Sequence, residues 1–222
     1  MIIETVTQGS YQTNSYILRG DNSSECVIID TGMDNKELLA RIDSQALKPE
    51  ALLLTHGHLD HIIGVPDLRD KYPGIKVCIH ENDAAALNEP ERNMSAHSAI
   101  YRNFTTAAAD IILEDGKTYS FAGMDFKVLH TPGHTPGCIC LYCESEAALF
   151  TGDTVFAGSV GRTDFPGYDT NAAHQQLLNA VREKVFALPD DTKLYPGHGP
   201  STTLRCEKKY NPFFNGQGFD YM

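Results

Sequence analysis

Three imidazoles and a carboxylate fall within six residues in Thr55-His56-Gly57-His58-Leu59-Asp60-His61, directly after the apolar run Ala51-Leu52-Leu53-Leu54. Neutral imidazole and carboxylate are borderline ligands that suit zinc, iron or manganese. A polar loop with surface histidines is the plain alternative. The density of donors in so short a stretch argues against it. Further donors repeat one local pattern. His134 sits in Thr131-Pro132-Gly133-His134-Thr135-Pro136-Gly137 after the run Met124–Leu129. Asp153 sits in Thr151-Gly152-Asp153 after Ala147–Phe150. His198 sits in Pro196-Gly197-His198-Gly199-Pro200 after Lys193–Tyr195. Each follows an apolar strand and stands beside a glycine that permits close backbone approach. If those strands point the same way, the donors converge at one edge of the sheets, where α/β folds place their sites. His80, His97, His130 and His174 lack this context and read as structural or surface residues.

The elements that must deliver these donors are legible in part. Ile2–Thr7, Ser15–Leu18 and Cys26–Ile29 read as strands separated by Gly and Asn turns. Asp34 reads as the N-cap of a helix to about Ser44, with Leu38, Leu39 and Ile42 on one face. Ala51–Leu54 is a buried strand, Gly64–Tyr72 a helix, Ile75–Ile79 a strand and Glu81–Leu87 a short helix. Residues 88–109 lack a regular pattern, although Ala96–Phe104 fits a helix. Strands resume at Thr118–Phe121, Met124–Leu129, Cys138–Cys143 and Ala147–Phe150, and Lys193–Tyr195 is a last one. Asn171–Leu188 is a long amphipathic helix with Leu177, Leu178, Val181 and Val185 on one face. Helices interspersed among many strands indicate an α/β domain with layered sheets.

The chain has 222 residues, 41% hydrophobic and 21% charged, which is ordinary for a globular domain. No apolar run approaches a membrane span. Met1-Ile2-Ile3-Glu4-Thr5 lacks the regions of a secretory signal, so a cytoplasmic location is expected. A net charge of −11 excludes non-specific attraction to nucleic acid or anionic membrane. An anionic substrate would need a local basic pocket. Six cysteines in such a chain do not suggest a disulfide framework. Cys138-x-Cys140-x-x-Cys143 has the look of a thiolate cluster. It lies in an apolar run, however, and reads as part of a buried strand.

The order His56-x-His58-x-Asp60-His61, then His134, Asp153 and His198, resembles the metallo-β-lactamase fold superfamily. The resemblance implies an αββα sandwich, two mixed sheets flanked by helices, over residues 1–214; the Gly-containing end at 215–222 is expected to be a loose tail. It implies that His56, His58 and His134 bind one metal and that Asp60, His61 and His198 bind a second. Asp153 would bridge them, and Asp30 would act as a hydrogen-bond acceptor that orients a ligand. The cofactors would be two divalent ions, with zinc expected and iron or manganese possible for such donors. They would make a bridging hydroxide at neutral pH, because coordination lowers the pKa of water from about 15.7 to about 7. Asp60 could also orient that hydroxide. The reaction class is hydrolysis of an ester, thioester, amide or lactone.

Gly158–Gly167, Gly197–Thr203 and Asn211-Pro212-Phe213 are similar to short, single-domain glyoxalase II-like hydrolases, which cleave the thioester S-lactoylglutathione. The chain departs from the longer glyoxalase II. It ends before that enzyme's C-terminal helical domain, and Arg162-Thr163-Asp164 replaces its Lys-Phe-Tyr stretch. Candidate substrate contacts in place of those are Arg162, Arg205, Lys208 and Lys209. The plain alternative pairs Arg162 with Asp164 and leaves the other three on a solvated helix. Gly161–Phe165 is also similar to persulfide dioxygenases of this fold, which use one iron. Their last ligand motif differs from Gly197-His198-Gly199-Pro200. True β-lactamases fit less well, since many lack the His61 equivalent. A non-catalytic metal-binding module is the reading from another class.

Overall fold

In the computed structural model, which describes residues 1–167 and 169–215, the short β-branched runs pair into two six-stranded sheets. The first runs in chain order: β1 (Ile2–Gln8), β2 (Thr13–Arg19), β3 (Glu25–Ile29), β4 (Lys48–Leu53), β5 (Lys76–His80) and β6 (Ile111–Leu113). β1 to β3 are antiparallel, and β3 to β6 are parallel. Parallel neighbours need crossovers. These are α1 (Lys36–Ser44) between β3 and β4, then α2 (Leu59–Ile62) and α3 (Val65–Lys71) between β4 and β5. α4 (Glu81–Ala84) follows β5. The second part of the chain gives β7 (Thr118–Phe121), β8 (Met124–His130), β9 (Ile139–Cys143) and β10 (Ala148–Gly152). A hairpin of β11 (Val155–Phe156) and β12 (Ser159–Val160) comes next, followed by α5 (Thr170–Ala180). The chain then adds β13 (Lys193–Pro196), β14 (Thr202–Thr203) and α6 (Leu204–Tyr210). The second sheet has the order β14-β13-β10-β9-β8-β7, with β13 parallel to β10.

Period-two alternation divides each strand between two faces. Val27, Ile29 and Leu53 meet Phe126, Val128, Leu141 and Phe150 between the sheets. Ile28, Leu52 and Val77 face Leu38, Ile42 and Leu68 of α1 and α3. Cys140, Leu149 and Leu194 face Leu177, Leu178 and Val181 of α5 and its extension. The result is an αββα sandwich of two mixed sheets. Phe126 and Phe150 are fully buried between the sheets, and burying such a side chain contributes roughly 1.5–3 kcal/mol. The same alternation settles the cysteine cluster. Cys140 lies under α5 and Cys143 lies between the sheets, so no common site is open to them. Burial pushes the Cys140 thiol up to about 11 and Cys138 well above its ordinary value.

Three expectations are corrected. Residues Ala96–Phe104 do not form a helix. There is one 3-10 turn at Ser95–His97, entered through Met94 at φ 67°. Asn93 holds the loop instead, donating to the carbonyls of Ala86 (2.7 Å) and Phe104 (3.1 Å) and accepting from Ser95 N–H. Ile100 is 81% exposed, so a helix there would bury no apolar face. The N-cap of α1 is Asn35 rather than Asp34, which takes a left-handed φ of 63°. The side chain of Asn35 turns to the Gly64 carbonyl, and Gln8 Oε1 accepts the Leu38 N–H at 3.1 Å in place of a local cap. The amphipathic helix near the C-terminus is α-helical only to Ala180 and continues as a π-helical turn over Val181–Val185. The tail expected at 215–222 lies, apart from Asn215, outside the described residues.

Candidate metal centre

The strand ends deliver the donors to one edge. β4 ends at Leu53, and Thr55 to His58 lead into α2, whose first turn carries Asp60 and His61. β8, β10 and β13 run in one direction and are followed by His134, Asp153 and His198. Gly197 is needed for this approach, because a Cβ there would lie 2.3 Å from Asp153 Oδ1 and 2.7 Å from His61 Cε1. The seven candidates stand together in three overlapping groups: His56, His58 and His134; His56, His61 and Asp153; Asp60, His61 and His198. Within each group the donor atoms lie within 4.8 Å of one another.

Hydrogen bonds fix which ring nitrogens face inward. A carbonyl or carboxylate can only accept, so a ring nitrogen bonded to it carries the proton. His134 Nδ1 donates to the Arg162 carbonyl at 2.9 Å, and His198 Nδ1 to the Tyr11 carbonyl at 3.0 Å. His61 Nδ1 donates to Asp30 Oδ2 at 2.9 Å. Thr55 Oγ1 spends its proton on Asp30 Oδ2 at 2.6 Å and so accepts from His56 Nδ1 at 3.1 Å. In the neutral rings each Nε2 lone pair then points into the cluster. His134 Nε2 lies 2.9 Å from His58 Nδ1, and His61 Nε2 lies 3.3 Å from His198 Nε2. Asp153 spans both sides, with Oδ2 at 3.4 Å from His134 Nε2 and Oδ1 at 3.5 Å from His61 Nε2.

The electrostatics ask for positive charge in the middle. Burial first, and neighbouring imidazoles second, hold His56 and His58 well below the usual imidazole range. Burial also lowers His134. Burial opposes charge on His61, but Asp60, Asp30 and Asp153 outweigh it and push its pKa up to about 9. His198 is pushed up to about 10 against the same burial by hydrogen bonds to Asp153 and Asp60. Those imidazoles in turn hold both aspartates below the ordinary carboxylate value, despite burial. His56 Nε2 and Asp153 Oδ1 are buried with no hydrogen-bond partner, and leaving such groups unsatisfied costs about 1–3 kcal/mol each. A proton answers one lone pair at a time. Divalent cations answer the facing nitrogens and carboxylates together, so the donor set fits metal.

The centre opens into a cavity of about 640 Å³. Its walls include Tyr11, Met33, Met94, Phe156, Val160 and Phe165. Arg162 lines it too, paired with Asp164 at 2.8 Å and lying 4.8 Å over the Phe165 ring. His97, read from the sequence as a structural or surface residue, stands in the wall beside Met94 and Ser98. Arg205, Lys208 and Lys209 are not brought there. They ride on α6, where Lys208 pairs with Asp190 at 2.6 Å. His80 and His130 stack on each other at 4.1 Å, and His174 packs on Phe213.

Several residues of the site carry no local signal in the sequence. Thr13 on β2 donates to Asp60 Oδ2 on α2 at 2.9 Å, 47 positions away. The Tyr11 carbonyl reaches His198 across 187 positions. Asp30 is legible as an acid after a strand, and it accepts from Thr55 N–H, Thr55 Oγ1 and His61.

Residues 9–198 match the Metallo-beta-lactamase superfamily. The chain belongs to that superfamily. It is 34% identical to the hydroxyacylglutathione hydrolase GloC of Haemophilus influenzae, over 98% of this chain and all of that one. Among solved structures it is similar to the BLEG-1 B3 metallo-beta-lactamase, with 38% identity, a TM-score of 0.89 and coverage of 97% of this chain and 100% of that chain. TTHA1623, solved in a di-iron-bound form, has 35% identity, a TM-score of 0.80 and coverage of 95% and 100%. Among the described residues no helix is long and apolar enough to cross a membrane.

Proposed function

We propose that the chain is a dinuclear metal-dependent hydrolase whose substrate is a small thioester, with glutathione as the candidate thiol carrier. The observation that carries this reading is the pair of donor trios joined by Asp153, with His56 Nε2 and Asp153 Oδ1 otherwise unsatisfied. His56, His58 and His134 would hold one ion, Asp60, His61 and His198 the other, and Asp153 would serve both. Bound divalent cations supply a hydroxide nucleophile near neutral pH and an electrophile for a carbonyl oxygen. Zinc, iron and manganese all suit these nitrogen and oxygen donors, and a di-iron relative keeps iron in view.

The residues around the centre do the rest. Asp60, held ionised against burial chiefly by His61 and His198 and oriented by Thr13 Oγ1, is placed to accept a hydrogen bond from the attacking water. Tyr11, Met33, Phe156 and Phe165 shape an apolar mouth that limits bulk water. Arg162 offers the cavity a guanidinium that can exchange Asp164 for a substrate carboxylate. In the reaction, the attacking oxygen gives up one proton to solvent as it bonds to the acyl carbon, the C–S bond breaks with its electron pair going to sulfur, and the thiolate leaves while the resulting carboxylic acid releases its remaining proton. The glutathione-linked choice is supported by the likeness to GloC.

The test is thiol release from S-lactoylglutathione by metal-loaded protein, beside a chromogenic β-lactam and oxygen uptake on glutathione persulfide. The reading expects thiol release that is lost in His58→Ala and Asp60→Ala. Turnover of the β-lactam alone, or one-iron oxygen uptake alone, would overturn it. Inactivity of the loaded protein on every ester, thioester and lactone tried would favour a non-catalytic module.

A further inference from the structure

Asp83 is a buried carboxylate that belongs to no donor trio; it lies on α4, directly after β5, without the neighbouring glycine that marks His134, Asp153 and His198. Its Oδ2 accepts Gly57 N–H at 2.9 Å and Thr135 Oγ1–H at 2.7 Å. Its Oδ1 accepts Gly137 N–H at 2.7 Å. Gly57 lies between His56 and His58, and Thr135 follows His134. One carboxylate therefore ties together the two loops that carry the first donor trio, across 26, 52 and 54 positions of sequence. Both loops approach α4 with no room for a side chain. A Cβ on Gly57 would lie 2.4 Å from Ala86 Cβ, and one on Gly137 would lie 2.5 Å from Asp83 N. Asn82, the neighbour on α4, adds a contact at 3.4 Å from its amide to the Pro136 carbonyl.

We propose that Asp83 is the positioning residue for the His56, His58 and His134 metal site, setting the spacing of its two loops through three charge-assisted hydrogen bonds. This rests on the dinuclear reading of the centre. The second trio has its own supports in Asp30, Thr13 and the Tyr11 carbonyl, so Asp83 acts on one site and not the other. Burial raises the Asp83 pKa, and Thr135, Gly57 and Gly137 work against that rise. Each donor removed therefore makes the ionised clamp harder to keep. Asn is not an adequate substitute. Whichever way its amide sits, an NH₂ faces at least one N–H donor.

The experiment is a Co(II) titration of the metal-stripped full chain, followed by visible absorption with a competing chelator. His58→Ala and His198→Ala supply the spectrum of each remaining site. Wild type is expected to take two equivalents. Asp83→Asn is expected to keep the equivalent whose spectrum matches that of His58→Ala, and to bind the other about tenfold or more weakly. Equal weakening of both equivalents, or no weakening, overturns the proposal while the dinuclear reading stands. A wild type that takes fewer than two equivalents overturns both. Thr135→Val keeps the carboxylate and two of its donors, and it decides the case if Asp83→Asn does not fold. A severalfold loss confined to the same equivalent supports the clamp, and wild-type affinity overturns it.

Discussion

Asp30→Asn isolates what orientation of a ligand is worth in this centre. Asp30 is 1% exposed and accepts three bonds: Thr55 N–H at 2.8 Å, Thr55 Oγ1–H at 2.6 Å and His61 Nδ1–H at 2.9 Å. Its φ of 54° is left-handed, a conformation that Asn tolerates as well as Asp does, so the backbone is not the perturbation. The amide nitrogen must replace one oxygen. At Oδ2 it faces two donors, and at Oδ1 it faces the Thr55 N–H. The first arrangement drives His61 to the other tautomer and puts a proton on the Nε2 that faces His198 and Asp153. One unsatisfied buried donor costs about 1–3 kcal/mol of stability, and at this chain length each kcal/mol moves Tm by about 2–4 °C. Loss of a ligand-orienting acceptor weakens metal by about 10–100-fold. Chelator-competition titration should place the larger loss on the ion of Asp60, His61 and His198, whose His61 bonds Asp30 directly, and a smaller loss on the other ion, whose His56 is reached through Thr55 Oγ1. A variant whose Tm falls while both affinities stay at wild-type values would show that Asp30 does not orient a ligand.

Other expectations follow from the same geometry. Gly197→Ala drives a methyl into Asp153 Oδ1 and His61; it should weaken both ions on titration, whereas Gly199→Ala, whose Cβ meets nothing within 4 Å but whose φ is 73°, should cost stability and leave metal affinity near wild type. A maleimide should label the native chain once by mass spectrometry, at the exposed Cys206, because the other five thiols are buried; unfolding should expose all six, and multiple labelling of the native chain would contradict the strand assignment of Cys138 to Cys143.

Much of the fold is legible because strands and amphipathic helices are local patterns. The runs at Cys26–Ile29, Ala51–Leu54 and Met124–Leu129 alternate or stay apolar over the length of one strand. The sequence grouping of His56, His58, Asp60 and His61 is as local as a loop can be, and His134, Asp153 and His198 share a strand-then-glycine setting. The structure brings all seven to one edge. What resists reading is fixed by distant partners. Thr13 reaches Asp60 from β2, and the Asp83 carboxylate closes two loops from α4. Neither has a neighbour in sequence that would mark it. The loop around Met94 to Phe104 follows Asn93, whose amide bonds replace the helical ladder. Lys208 and Lys209 are near His198 in sequence, but α6 carries them towards Asp190 and Tyr210. Two-residue strands such as those of the β11 and β12 hairpin are too short for any periodicity to register.

The proposed hydrolase requires two ions at this edge, in two distinct trios joined by Asp153. Elemental analysis of metal-saturated, desalted protein tests it most directly, with His58→Ala, His198→Ala and Asp153→Ala measured alongside. Two divalent ions are expected per wild-type chain, one in each histidine variant, and weakened retention of both in Asp153→Ala. One ion per wild-type chain, or two ions retained in both histidine variants, would contradict it.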